Sequence, residues 1–184
     1  MDRRQGKTRE AIFNAFIKLL SSKNYNHITV GEIIDEANIG RATFYSHFET
    51  KDFLLKELCA DLFEHIFNSY KGIKDNTKSL FDCKAPNSVF LHLFDHLKKN
   101  DNNILDLFAS PNNDLFLMYF KDNLKKLIVS QKCYLENSKF NTLPNDYLIN
   151  HIASTFVETV RWWANTKFID NSETINQYFL EAIK

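Results

Sequence analysis

Apolar residues recur along this chain at intervals of three and four, the spacing that places them on one face of a helix. The first stripe, Ile12, Phe13, Phe16, Ile17, Leu19 and Leu20, predicts a helix over residues 8–22, followed by a polar connection, residues 21–27, that contains Tyr25. Val30, Ile33, Ile34 and Ala37 form a second, shorter stripe. A third helix is expected from Arg41 to about Phe48. A long fourth follows from Thr50 to about Tyr70, with Phe53, Leu54, Leu58, Leu62, Ile66 and Tyr70 or their neighbours facing inward. Residues 71–79 are polar and read as a loop. Beyond Pro86 the helices become rich in aromatic residues, over residues 87–99, 104–108, 114–137, 146–167 and 172–183. The breaks between them, Asp101-Asn102-Asn103, Pro111-Asn112-Asn113 and Leu143-Pro144-Asn145, carry turn chemistry. No stretch alternates as a strand would, so the fold class is all-α with about nine helices.

Local chemistry sharpens the reading between residues 29 and 51. Thr29-Val30-Gly31-Glu32 is a capping box, in which the threonine hydroxyl and the glutamate carboxylate each satisfy a free backbone N–H at a helix start. Asn38 can take the left-handed conformation that a sharp helix exit requires. Gly40 can open the next helix. Two short helices joined by a tight turn make a helix-turn-helix, whose second member enters a DNA major groove. Arg41, Ala42 and Thr43 then lie in the first turn of the recognition helix: arginine can bond guanine bidentately and threonine can touch a thymine methyl. Tyr45 and His47 are placed for phosphates, with Phe44 and Phe48 divided between groove and core. Thr29 and Lys51 open the flanking helices, where free N–H groups favour an anion. Arg3, Arg4 and Lys7 form either a basic arm that reaches the duplex or a frayed terminus.

These residues, Ile28-Thr29-Val30, Ile33, Ala37, Ile39, Thr43, Tyr45, His47, Phe48, Lys51 and Leu54-Leu55, resemble the DNA-binding domain of TetR-type transcriptional regulators over about residues 7–58. Two positions depart from the family pattern: Asn38 stands where glycine is usual, and Gly40 where serine or threonine is. Both changes are mild, since asparagine tolerates the turn and glycine costs only a few tenths of a kcal/mol at an N-cap. The resemblance implies DNA contacts by Thr29, Arg41, Thr43, Tyr45, His47 and Lys51. It also implies a division into a helix-turn-helix domain, residues 1–51, and a helical effector-binding and dimerisation domain, residues 52–184. The expected partners are a palindromic double-stranded operator, a second copy of the chain, and a small apolar or aromatic effector.

Phe90, Phe94, Phe116, Tyr119, Phe120, Phe156 and Trp162 are the candidates to line an effector cavity between helices, although aromatics at helical spacing equally describe a plain core. His92, His96, His151, Glu158 and Arg161 are the polar candidates. The last two long helices carry more apolar surface than one core needs, and by the resemblance they pack against their copies as a four-helix bundle. Phe156, Val160, Trp163, Ile175 and Phe179 are the candidates for that interface. Adjacent Trp162 and Trp163 cannot both face one core, so one is expected to face the partner or the cavity.

Composition adds limits. The net charge of +0 is uneven: residues 1–56 hold nine Lys and Arg against seven Asp and Glu, a net of +2 that permits DNA binding without demanding it. Cys59, Cys83 and Cys133 form no C-x-x-C pair, so buried reduced thiols are expected rather than a disulfide or zinc framework. No apolar run approaches the ~18 residues of a membrane span, and no secretory signal opens the chain, which points to the cytoplasm. His92 and His96 stand at i and i+4, a spacing that suits a metal, but no third ligand is evident in the sequence and none is assigned. Neither a cofactor nor a catalytic set is indicated, and the chain is expected not to be an enzyme. A protein that keeps this fold but acts as a co-activator through protein contacts is the alternative function.

Overall fold

The computed structural model describes residues 3–70, 88–99, 108, 114–130 and 143–183. Among them are eight α-helices and no strand: α1 (Arg3–Ser22), α2 (Val30–Ala37), α3 (Arg41–His47), α4 (Lys51–Tyr70), α5 (Val89–Lys99), α6 (Asp114–Ser130), α7 (Asn145–Asn165) and α8 (Ser172–Ala182), with a 3-10 turn at Tyr25–His27. The all-α expectation of about nine helices therefore holds closely. Of the short piece at 104–108 only Phe108 is described, and residues 71–79, 131–137, Cys83 and Cys133 lie outside the described residues.

One boundary differs in a way that matters. α1 begins at Arg3 rather than near Thr8, because Thr8 does not cap: its hydroxyl donates back to the Arg4 carbonyl at 3.1 Å, the bond of a residue already inside a helix. Arg4 and Lys7 are thus exposed positions on the first turns of α1, and the separate basic arm disappears.

α1 packs on α2, and α2 meets α3. The core of this unit is aromatic: Phe13, Phe16, Tyr25, Phe44 and Phe48 are all buried, with Phe13 edge-on to Phe48 at 5.5 Å and Phe16 edge-on to Tyr25 at 6.3 Å. The capping box forms as its spacing predicts. Glu32 N–H donates to the Thr29 hydroxyl at 3.2 Å, and Thr29 N–H donates to the Glu32 carboxylate at 2.8 Å. The Lys23 ammonium, and after it the Thr29 donors, hold the Glu32 carboxyl down at about 2.

The first turn of α4 joins this unit to the rest. Lys51 Nζ donates to the carbonyls of Tyr25 and Ile28 at 2.8 and 2.7 Å and sits 4.1 Å from the centre of the Tyr25 ring. Tyr25 in turn donates its phenol to Asp52. Burial, reinforced by that carboxylate, pushes the phenol up, so it stays a donor. One turn further on, Arg9 and Glu57 pair at 2.7 Å, tying α1 to α4. α4 then packs on α5 and α6, α6 on α7, and α8 on both α5 and α7. Leu54, Leu58, Leu62 and Ile66 face inward as the stripe predicts, Phe53 is 36% accessible beside the buried Leu54, and the Tyr70 side chain lies outside the described residues.

Two outcomes follow from this packing. Lys51→Met removes the donor that two backbone carbonyls share and should cost about 1–3 kcal/mol in urea unfolding, the cost of leaving part-buried acceptors unpaired. Tyr45→Ala, on an exposed position, should change stability by less than about 0.5 kcal/mol. The folded-state value of Glu32 lies below its ordinary 4.5, so its contribution is complete above that pH and is lost as pH falls towards about 2. A Glu32→Gln variant, which can still form the box, should flatten that part of the acid limb in a melting-temperature profile.

Candidate nucleic-acid interface

The turn before α3 explains how that helix comes to stand outward. Asn38 is left-handed at φ 51°, its N–H donates to the Asp35 carbonyl, and Ile39 N–H closes back on the Ile34 carbonyl. This compact exit ends α2 and redirects the chain within three residues. Gly40 is extended, and a Cβ placed on it would meet only the Thr43 hydroxyl at 3.7 Å, an ordinary contact, so the serine or threonine of the family pattern would also fit.

α3 then divides cleanly into two faces. Phe44 and Phe48, four apart, are fully buried and lock the helix onto α1; Arg9 lies 4.9 and 5.1 Å from the Phe13 and Phe48 rings beneath it. Phe44 is therefore a core residue rather than a groove residue. Arg41, Ala42, Thr43, Tyr45 and Ser46 are exposed, with Tyr45 46% accessible, and His47 is half-buried beside Phe48. A helix held by two phenylalanines and presenting an arginine, a threonine and a tyrosine has the form of a groove-reading element. Thr29 is exposed at the start of α2, though its hydroxyl is engaged in the capping box. Lys51 is half-buried, and two of its three N–H donors go to backbone carbonyls. Both bonds fix the helix-turn-helix on α4, a role that the residue's position in the chain does not disclose.

Farther along, the structure reassigns several expectations. Phe90, Phe94, Phe116, Phe120 and Phe156 are buried, and their rings touch at 4.5–6.2 Å, Phe94 stacked on Phe156 at the short end of that range. Such spacing is direct contact and leaves no room for a ligand between these rings. They are the core of this half, joined by Phe63, Phe108 and Phe179, while Tyr119 is partly buried at the core's margin. Phe156, Val160, Trp163, Ile175 and Phe179, expected at a dimer interface, are all 0% accessible within their own chain. The reason is that α5 packs on α8 and its Phe90 and Phe94 rings reach Phe156, Trp163 and Phe179, while α6 packs on α7. Of the tryptophan pair, Trp163 is the core residue, its indole N–H donating to the Asp170 carbonyl at 3.1 Å, whereas Trp162 is 50% accessible. Trp162 lies edge-on to Tyr178 at 6.2 Å in an open groove of about 760 Å³ along α7 and α8, lined also by Thr155, Glu158 and Thr159.

A further cluster escapes the sequence. His92 and His96 come together on α5 with Nε2 atoms 3.1 Å apart, and His65 of α4 closes on both, its ring 5.5 and 5.0 Å from theirs. Burial, helped by the neighbouring imidazoles and Lys99, holds His92 down at about 4 and His96 at about 3, so both are neutral at physiological pH. His65 stands 27 residues before His92, a separation over which no helical period operates. Cys59 is buried, and its thiol is pushed up by desolvation, as expected of an inert core cysteine.

Comparison with known proteins agrees with this geometry. Residues 12–58 match the family described as bacterial regulatory proteins, tetR family, and residues 84–184 match a transcriptional regulator C-terminal region. The fold is similar to that of a TetR transcriptional regulator from Streptococcus agalactiae, at a TM-score of 0.73 and 35% identity, covering 100% of this chain and 97% of that one. It is also similar in fold to the regulator FadR from Bacillus subtilis in complex with stearoyl-CoA, at a TM-score of 0.63 and 18% identity, over 95% and 96% of the two chains. Among curated relatives, the HTH-type regulator YxbF of Bacillus subtilis is 41% identical over 71 residues, 36% of this chain and 19% of YxbF. DhaS of Lactococcus lactis, the dhaKLM operon transcriptional activator, is 30% identical over 127 residues, 68% of this chain and 63% of DhaS. The chain thus spans less than two thirds of either curated relative. No described helix is long and apolar enough to cross a membrane. The family matches account for both the helix-turn-helix and the helices that follow it, and the chain belongs to the TetR family of DNA-binding transcriptional regulators.

Proposed function

We propose that the protein acts as a dimeric repressor that reads a palindromic operator with α3 and is released from it by an effector that shifts α4. The observation that carries this reading is the outward face of α3. Arg41 and Thr43 stand in its first turn with Tyr45 beside them, all exposed, on a helix held rigidly by Phe44 and Phe48. Arg41 supplies the bidentate donor for a guanine, Ala42 and Thr43 apolar contact for a thymine methyl, and Tyr45 and His47 phosphate contacts. Thr29 and the remaining N–H of Lys51 stand at the margins of the same surface. The two halves divide the work, with residues 1–51 reading DNA and residues 52–184 sensing and pairing.

The groove on α7 and α8 is the surface this reading gives to the second copy. TetR-family regulators form dimers, and here Trp162 and Tyr178 lie together exposed on the last two helices, flanked by Thr155 and Thr159. Tryptophan and tyrosine on an open helix face are the residue types that dominate protein interfaces. A two-fold axis there would set the α3 helices about 34 Å apart for successive major grooves. Near-complete release requires the effector to favour the non-binding state by about 5.5 kcal/mol. An effector with an apolar chain, such as the acyl chain of the stearoyl-CoA in complex with FadR, would have to part the Phe94, Phe120 and Phe156 rings, and α4 packs on two of the helices that carry them. The relative DhaS is an activator, which makes the sign of regulation the point on which a second reading rests.

A gel-shift titration on DNA upstream of the chain's own gene, at about physiological salt with excess competitor, should give a discrete complex at nanomolar protein. Arg41→Ala should lose about 1–3 kcal/mol of that affinity, roughly 5- to 150-fold, and relax specificity at one base pair. Undiminished affinity would mean that α3 is not the reading helix. No specific site even in a random-sequence selection would favour the co-activator alternative, and a promoter-reporter fusion in a deletion strain would separate repression from activation. Trp162→Glu should convert the dimer to a folded monomer by light scattering, because Trp162 is exposed in the single chain.

A further inference from the structure

We propose that His65, His92 and His96 form a binding site for a divalent transition-metal ion, zinc above all, that clamps α4 to α5. The three imidazoles come from two helices, and one ring nitrogen from each lies within 4.8 Å of the other two. His65 and His92 are buried and His96 is half-buried, so the trio sits in the wall between α4 and α5 rather than on the surface. His92 and His96 already have Nε2 atoms 3.1 Å apart. A tetrahedral zinc ion, with Zn–N bonds of about 2.0–2.1 Å, holds its nitrogens roughly 3.3 Å apart. That pair therefore needs almost no movement, and His65 has to close from within 4.8 Å to roughly 3.3 Å, a shift of at most about 1.5 Å.

The donor set selects the class of ion. Three neutral imidazoles suit zinc and its borderline neighbours nickel, copper and cobalt, whereas magnesium and calcium demand oxygen ligands that the trio lacks. Lys99 places a repulsive charge that both His92 and His96 feel, so affinity has to come from direct coordination and not from an acidic field. Three protein ligands leave a fourth position for water or another small ligand.

The position gives the ion a consequence. His65 lies on α4, 14 residues beyond Lys51, so about 21 Å of continuous helix separates the metal from the carbonyls that hold the helix-turn-helix. An ion that fixes α4 against α5 thereby fixes the far end of the element on which α3 is mounted. This regulatory step rests on the DNA-binding reading proposed above. The metal site does not.

The test uses the full chain, stripped with a chelator and titrated with zinc chloride against a colorimetric zinc indicator, with far-UV circular dichroism to check the fold of each variant. One ion per chain is expected. His65→Phe and His96→Asn should each weaken binding by more than about 100-fold, beyond what changes to groups behind the ligands cost. Cobalt(II) added to the unaltered chain should show the intense visible bands of a four-coordinate site, a readout that does not depend on any variant folding. Sub-stoichiometric binding with featureless cobalt spectra, or full affinity in a folded His65→Phe chain, would overturn the site and leave a plain histidine cluster. Affinity for a duplex recovered by random-sequence selection should differ at least about tenfold between zinc and chelator; equal affinity would overturn the clamp's regulatory role while stoichiometry still judged the site. Absence of DNA binding in both states would count against the regulator reading alone.

Discussion

The ammonium of Lys51 is the fastening on which the rest of the molecule depends. It closes two backbone carbonyls of the segment between α1 and α2, rests on the Tyr25 ring, and begins the helix that carries the second half of the chain. Tyr25 makes the joint rigid, since its ring is buried against Phe16 while its phenol reaches the next residue of α4, Asp52. A cation satisfied by carbonyls and an aromatic face is held by several weak, directional contacts at once, and loses all of them if α4 rotates. The Arg9–Glu57 pair, one turn along, resists the same rotation. The helix-turn-helix therefore has no independent hinge at this junction. These contacts couple the start of α4 to the unit that carries α3.

That coupling gives meaning to how the second half is packed. Its core is a run of phenylalanine rings in direct contact from Phe63 through Phe120 and Phe156 to Phe179, and α4, α5, α6, α7 and α8 all contribute to it. Interlocked rings do not deform gradually; they repack between discrete arrangements, which is what a switch requires. The histidine trio stands between α4 and α5, and the open groove of Trp162 and Tyr178 runs along α7 and α8.

How much of this was legible in the chain can be argued from particular residues. The capping box at Thr29, the left-handed exit at Asn38 and the short recognition helix were readable because each depends on contacts within four residues, where side-chain chemistry alone decides the geometry. The inward stripe of α4 was readable for the same reason of period. The start of α1 was not, because nothing local told whether Thr8 would cap the helix or bond back within it.

Sequence by itself determined the helical class, the helix-turn-helix and the outward set Arg41, Thr43 and Tyr45, since helical period and cap chemistry are short-range. Tertiary structure alone decided which aromatic faces were already spent. Phe156, Val160 and Trp163 look free on an isolated helix and are covered once the helices pack, with Phe94 of α5 closing on both Phe156 and Trp163, which leaves Trp162 outside. It alone turned Lys51 from a cation at a helix start into a clamp on Tyr25 and Ile28, and it alone brought His65 to His92 and His96. Contacts between helices depend on where the chain returns, and no spacing within one helix encodes that.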